Sequence, residues 1–481
     1  MAALVLLMFA PGADSLWIDE GLIVAIVRSE SFHGMVDIMK LVSGSESQMP
    51  LALAYFWAWG HMTGYTEWGM RAGNLLPLAI GVLMLSHIGR KTGAWYLPLL
   101  FAANPLVWFY ANEIRPYALQ LTGGCGLCLA MGMTVFGRRF AAKDAAVLGA
   151  SSLVVTGASM LGVFAVLAVA AALAVLILRH KYPVTRPAIG VLAGMLVLLG
   201  VLGVYFVWSL RHAGGGVGGR DVGLGNVAFV IYENLGLGGV GPSRTLLREA
   251  NNHGIGRIME TVRPSLPWFA MIGGLWLWFL QQAWSGLRHG PNNRDDGDAH
   301  LLFWFYGGTF VLGIGAFYLA AIVVGFPFYG RHLCSFSPML IAAIALGCVL
   351  ARRIPGRGRA WLPACIALAW LGSSLVQRFS PKHAKDDYRS ATAYALKELR
   401  SGNNVWWVAT YNAAAYYGLD YRMTGLVFPA LIKGDLNNLW YPEVIVYSKP
   451  DLHDPDGRIM KYISENDFRQ VAEYPAFRIY R

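Results

Sequence analysis

Two carboxylates stand side by side in DSLWIDEGLIVAIVR, residues 14–28: Asp19 and Glu20. Farther along, FYANEIRPYAL (109–119) carries Glu113, Arg115 and Tyr117, and GFPFYGRHL (325–333) carries Tyr329, Arg331 and His332. A carboxylate can take the proton from an attacking hydroxyl. Arginines grip a phosphate through paired N–H donors. Together these types suit a displacement in which a hydroxyl attacks a carbon that carries a phosphate leaving group, the cations stabilising the charge that departs. One base and a few arginines suffice for a sugar leaving a phosphate-linked lipid, and a single displacement inverts the anomeric centre.

Each motif also has a bland reading. Asp and Glu favour the first turn of a helix, where they face its dipole. Pro116 suits a first helical turn and Tyr117 a membrane–water boundary. YGRH would serve as an interfacial anchor. Their coincidence at the ends of apolar runs is more informative than any one of them.

The elements that must position these groups follow from composition. The chain has 481 residues, 56% hydrophobic and 14% charged, with mean hydropathy +0.46. Soluble domains carry about 25% charged residues, and several runs here approach the ~20 residues that cross a bilayer as helix. This is the composition of a polytopic α-helical membrane protein. The net charge of +11 fits basic loops at a membrane surface and gives no reason to expect a nucleic-acid partner. Five cysteines give no disulfide framework. CGLC (125–128) lies mid-span among small residues that let helices approach, and reads as packing rather than a redox or zinc motif.

Lysine and arginine in short connections favour the cytoplasm. GRKTG (89–93), GRRFAAK (137–143), RHKYPVTR (179–186), SGLRHGPNNR (285–294) and ARRIPGRGR (351–359) all carry them. Placing all five inside pairs the runs 94–110 with 116–137, 144–158 with 159–178, 187–209 with 264–283, and 300–324 with 332–350. The run 72–89 leads in and 360–378 leads out. ALVLLMFA, too short to span, reads as the remainder of a first helix that starts upstream. PLALAYFWAWGHMTG (50–64) reads as an interfacial helix, because a crossing there would invert every later loop. The count is about eleven spans, with a cytoplasmic N-terminus.

Two outer loops then stand out: 11–71, which holds the acid doublet, and 210–263, which opens Gly-rich and includes Arg220, Arg244, Arg257 and Arg263. A loop this long is functional or disordered, and one reading is a mobile cover. The tail changes composition. DDYRSATAYALKELRSG reads as a helix ending at Gly402, NVWWVAT and EVIVYS as buried strands, and FRIYR as a last strand. Residues 1–378 are expected to form the membrane domain and 379–481 a small extracytoplasmic α/β domain.

LWIDEG, QMPLALAYFWAWGHMTGYTEWGMRAGNLLPLAIGVL and NPLVWFYANEIRPYALQL resemble the polyprenyl-phosphate-dependent glycosyltransferases of the GT-C superfamily. The chain is most similar to the branch of the protein O-mannosyltransferases, lipid A aminoarabinose transferases and Rhizobium-type galacturonosyltransferases. The resemblance implies a multi-pass protein of the bacterial inner membrane with a periplasmic C-terminal domain. Its expected partners are membrane lipids, a polyprenyl-phosphate-linked sugar, and an envelope lipid, glycan or protein acceptor. It implies Asp19 as catalytic base, with Glu20 and Glu113 as acidic partners, and donor-phosphate roles for Arg71, Arg115, Tyr117, Tyr329, Arg331 and His332. His332 stands where the family's loose R-Y-L element has a tyrosine. Gln48 and a single Pro50 stand near where the lipid A branch has a lysine, which disfavours an aminoarabinose donor. Asp19, Glu113 and His332 are of metal-ligating types but lack tight ligand spacing, so no cofactor is assigned. The alternative, a transporter or flippase of a lipid-linked precursor, calls for repeated halves or midplane ionisable groups, and the sequence shows neither.

Overall fold

Asn104 and Pro105 break what reads in sequence as one span. The helix Leu97–Ala103 stops there, and Pro105–Ala111 restarts with the Asn104 side chain accepting from the Leu106 and Val107 N–H groups at 3.0 and 3.4 Å. Pro105 sits at a first-turn position that needs no donor. The break matters because the second segment delivers Phe109 and Tyr110 to the site.

This computed structural model describes residues 1–42, 44–212, 222–252, 254–290, 294–326, 328–354 and 357–481. Arg220 and most of the Gly-rich start of loop 210–263 lie outside the described residues, as do Pro327 and parts of the basic connections at 291–293 and 355–356. Among the described residues six helices are long and apolar enough to cross a membrane: Glu67–Thr92, Tyr117–Gly137, Met160–His180, Arg186–His212, Asp296–Val324 and Gly358–Phe379. The other five spans read from the sequence fall on shorter or less apolar helices. These are Ala2–Leu7, the broken pair just described, Ala142–Ala158, the Trp-rich Leu266–Arg288, and Ser337–Ala351. The chain divides into two compact units.

The first unit comprises Met1–Pro11, Val36–Trp59 and Arg71–His383. Tyr117–Gly137 runs through its interior, almost wholly buried. Its glycines make that possible: a Cβ at Gly123 would strike Val155, at Gly124 the Ser335 carbonyl, and at Gly126 the Ser151 side chain. Cys125 and Cys128 are buried thiols inside this packing, with Cys125 facing Gly81. Tyr96 donates to the Ala345 carbonyl at 3.0 Å and Tyr306 to that of Cys128 at 2.8 Å, so buried hydroxyls tie helices together. Four of the five basic connections meet in pairs. Phe140 N–H donates to Pro183 and Thr185 N–H to Phe140, while Arg353 donates to Gly290. That pairing is what a common side for these loops requires.

The second unit comprises Gly12–Met35, Gly60–Met70 and Ala384–Arg481. Its sheet has strands β1 (Val405–Val408), β2 (Leu426–Val427), β3 (Val444–Ser448), β4 (Gln470–Tyr474) and β5 (Phe477–Tyr480), in the order β2-β1-β3-β5-β4. β1 pairs in parallel with β2 and β3, and β5 runs antiparallel to β3 and β4. β1 and β3 are buried on both faces, as their unbroken apolar runs demand. One face packs Trp407 and Val446 under the helix Tyr388–Arg400, and the other packs Trp406 and Tyr447 against Ile459, Tyr462 and Ile463. Each fully buried tryptophan contributes about 4–6 kcal/mol by area, an upper bound. The helix and three strands expected in the tail are present; the short β2 and the edge strand β4 carry too little apolar pattern to read.

The sequence places 11–71 with the membrane domain, whereas much of it builds the second unit. The apolar run behind the acid doublet, Ile18–Val27, buries Ile23, Val24, Ile26 and Val27. A Cβ on Gly21 would lie 2.5 Å from the Ala413 Cα, so glycine there sets how closely this helix meets Tyr411–Tyr416. Leu16 N–H donates to the Tyr417 hydroxyl at 2.8 Å, and the Tyr416 hydroxyl donates to Tyr65 at 2.6 Å. The run looks membrane-adjacent in sequence because a protein core and a bilayer select the same side chains.

Candidate functional site

In the first unit the site forms where three stretches converge: the turn after Ala111, the loop helices Leu224–Asn234 and Arg244–Asn252, and the single 3-10 turn Gly330–Leu333. Asn74, at the start of Leu75–Thr92, fixes the first of these. Its amide donates to the Ala111 carbonyl at 3.0 Å and the Glu113 carbonyl at 2.7 Å. Glu113 is buried, 2% exposed.

Arg244 occupies the centre. Its guanidinium carbon lies 3.6 Å from the Phe109 ring centroid and 5.4 Å from that of Tyr110, and it donates to the Tyr110 hydroxyl at 3.4 Å. Tyr110 in turn sits 4.3 Å, ring to ring, from Tyr117. Arg244 also forms an ion pair with Glu233, which is almost fully buried while a third of Arg244 stays exposed. Gly330 presses so closely on Glu233 that a Cβ there would collide with the carboxylate. Burial pushes the Glu233 carboxyl above its ordinary range, and the charges of Arg244 and Arg331 offset only part of that. Glu113, Glu233, Arg244 and Arg331 all lie within electrostatic range of Cys334. Arg331 rests 4.8 Å from the Tyr329 ring centroid, and that ring is 5.6 Å from His332.

Arg115 is placed differently. Its guanidinium pairs at 3.2 Å with Glu46, both side chains under 10% exposed. Glu46 lies on a 3-10 turn that also meets Arg186–His212, through Ser47 to the Ser209 hydroxyl at 2.7 Å and Tyr205 to the Ser47 carbonyl at 2.8 Å. Arg115 therefore ties the turn after Ala111 to the 3-10 turn Ser45–Gln48. Arg71 is wholly buried at the end of Glu67–Ala72.

In the second unit, the doublet divides its work. Glu20 is buried, accepts from the Trp17 N–H at 3.4 Å and pairs with Lys385 at 3.2 Å. It closes the helix N-terminus and neutralises a lysine. Asp19, partly exposed, lies within electrostatic range of Tyr388. Among the described residues no group of three His, Cys, Asp or Glu side chains is arranged to hold a metal ion.

Thus the first unit brings Glu113 and Arg331 together with Glu233 and Arg244, and sets Arg115 in a structural pair. Glu46, Asn74, Glu233 and Arg244 were missed as site residues. Arg244 stood out only as one of several loop arginines. The available signal was Glu233 closing the apolar run VAFVIYEN ahead of it.

No protein-family model matches the sequence, and no curated protein matches it. In fold the chain is similar to ArnT from Cupriavidus metallidurans, both in the crystal structure bound to undecaprenyl phosphate and in the apo state. In each case the identity is 12%, the match covers 100% of this chain and 96% of that chain, and the TM-score is 0.50. At that identity the likeness establishes the fold alone: a polytopic helical membrane protein with a small C-terminal sheet region.

Proposed function

We propose that the chain is an inverting glycosyltransferase that moves a sugar from a polyprenyl-phosphate donor to an acceptor on the outer face of the membrane. The observation that carries this reading is Arg244, stacked on Phe109 and facing Glu233 beside Arg331. Two guanidiniums above an aromatic bed, in a unit of apolar helices, suit a phosphate on a long apolar tail. The fold's likeness to a protein crystallised with undecaprenyl phosphate supports the same ligand class.

Glu233 would hold Arg244 until the donor phosphate competes for it. The acceptor hydroxyl attacks the anomeric carbon from the side opposite the phosphate. Its proton passes to a carboxylate, which the family resemblance assigns to Asp19. The bond from the anomeric carbon to the phosphate oxygen breaks, and its electron pair stays on polyprenyl phosphate, where Arg244 and Arg331 stabilise the added charge. Glu113 adds a negative charge within electrostatic range of Arg244. Arg115 acts as a positioning residue through Glu46.

The test uses full-length protein in lipid nanodiscs, with polyprenyl-phosphate sugars and envelope extracts as acceptors. Asp19→Asn should bind polyprenyl phosphate normally and lose transfer by about 100-fold or more. Unchanged turnover would reject Asp19 as base, and absence of polyprenyl-phosphate binding by the unaltered protein would reject the reading.

A further inference from the structure

The strand topology of the second unit makes a crevice at one end of its sheet. β1 and β3 are adjacent and parallel, yet the chain leaves them toward opposite faces of the sheet. After β1 it enters Tyr411–Tyr416, whose Ala413 and Ala414 pack with Trp407 and Val446. After β3 it runs through Pro450–His453 to Arg458–Glu465, which packs on the other face with Trp406 and Tyr447. Adjacent strands with divergent connections leave a gap at their carboxyl ends, the place where open α/β sheets take ligands.

The residues around this gap are mixed in type. Thr410 follows β1 and lies 3.3 Å from His453 Nε2. Lys449 follows β3, forms an ion pair with the buried Asp386, and stands 5.7 Å over the Trp17 ring. Lys449 has φ +45° directly before Pro450, a left-handed backbone that a lysine seldom adopts and that marks a strained position. Asp19 is two residues from Trp17 and, with Asp386, faces Tyr388, which neighbours Thr410. Trp17 Nε1 and the Ser448 hydroxyl at the end of β3 are buried with no hydrogen-bond partner in the protein. Buried polar groups are normally satisfied, so an orphaned indole N–H beside a crevice calls for an external acceptor.

We infer that this crevice is a carbohydrate-binding site, and that it presents the acceptor as a sugar hydroxyl. An indole face covers the C–H side of a sugar ring, and its N–H, the lysine, the threonine and the carboxylates supply the alternating donors and acceptors that ring hydroxyls need. The charges argue against an anion. Lys449 is paired with Asp386, Lys385 is taken by Glu20, Asp19 adds negative charge near Tyr388, and no Gly-rich phosphate loop follows either strand. The acceptor role rests on the glycosyltransferase reading; sugar binding does not.

Saturation-transfer NMR on the full chain in nanodiscs tests it. The probes are the water-soluble oligosaccharides released by mild acid from the envelope of the producing cells, and a blocked Ala-Thr-Ala peptide. The unaltered protein should saturate sugar ring protons and not the peptide. Trp17→Ala should cut the signal by about fivefold or more, and Trp17→Phe, which keeps a ring but not the N–H, by less. Lys449→Gln should also weaken it, and serves if Trp17→Ala fails to fold. No saturation by the unaltered protein, an unchanged signal in the folded variants, or saturation of the peptide instead would overturn the inference. Polyprenyl-phosphate binding on the same discs is read separately: its absence sinks the donor reading and leaves the crevice standing.

Discussion

Arg244 lies flat on Phe109, its guanidinium carbon 3.6 Å from the ring centroid, so the arginine at the centre of the first unit's cluster is held by stacking as well as by charge. Such an arginine keeps its position when its carboxylate partner is exchanged for a phosphate. Arg244→Ala should weaken polyprenyl-phosphate binding by about 10- to 100-fold, the range for a charge-assisted hydrogen bond. Arg244→Lys should recover little, because an ammonium neither forks onto a phosphate nor stacks in the same way. Equilibrium binding in nanodiscs checks both.

Glu233 competes with the donor for that arginine only while it is ionised. Its folded-state pKa lies above the ordinary glutamate value, burial being the main cause. As pH falls through that raised value the carboxyl protonates and releases Arg244, so apparent donor affinity should rise toward acid. Glu233→Gln should bind the donor more tightly at neutral pH and lose this pH dependence. The stability sign follows the same shift: the group's contribution is fully present below the ordinary glutamate pKa and is lost as pH rises through the folded value. Binding titrations from pH 5 upward distinguish the two proteins.

Glu46 and Arg115 form a buried pair, and breaking such a pair leaves a charge stranded. Glu46→Ala should destabilise by about 3–5 kcal/mol. Adding Arg115→Met should recover much of the loss, since an apolar replacement leaves nothing to solvate. Thermal unfolding in detergent reads the difference. Equal losses for the single and double variants would show that the guanidinium is stabilised by groups other than Glu46.

Gly64 and the C-terminal tail belong to one compact unit and must share a side of the membrane. A topology reporter fused after Gly64 and another after Arg481 should give the same signal, and both should report the outside. A cytoplasmic signal at Gly64 would overturn the charge-based orientation.

Much of this was legible. The apolar runs marked the helices, and Glu113 of EIRPY and Arg331 of YGRH come together, whereas Arg115 pairs with Glu46. What escaped were partners supplied from a distance. Nothing in the spacing of Glu233 and Arg244 shows that Phe109 will lie beneath the arginine, because that contact depends on how Arg244–Asn252 packs over a helix broken at Asn104. Nor could hydropathy tell that Ile18–Val27 ends in a protein core instead of lipid. Gly21 was the one local clue, and its meaning needs Ala413.

The second unit is made from pieces at both ends of the chain: Gly12–Met35 and Gly60–Met70 are synthesised early, the sheet last. The face of Ile18–Val27 that carries Gly21 therefore lacks its Ala413 neighbour until nearly the whole polypeptide has left the ribosome. During that interval an apolar segment waits beside a bilayer that would readily accept it. A chain cut short before β3 should strand that segment permanently, so C-terminal truncations ought to fail at biogenesis and quality control well before any question of turnover arises.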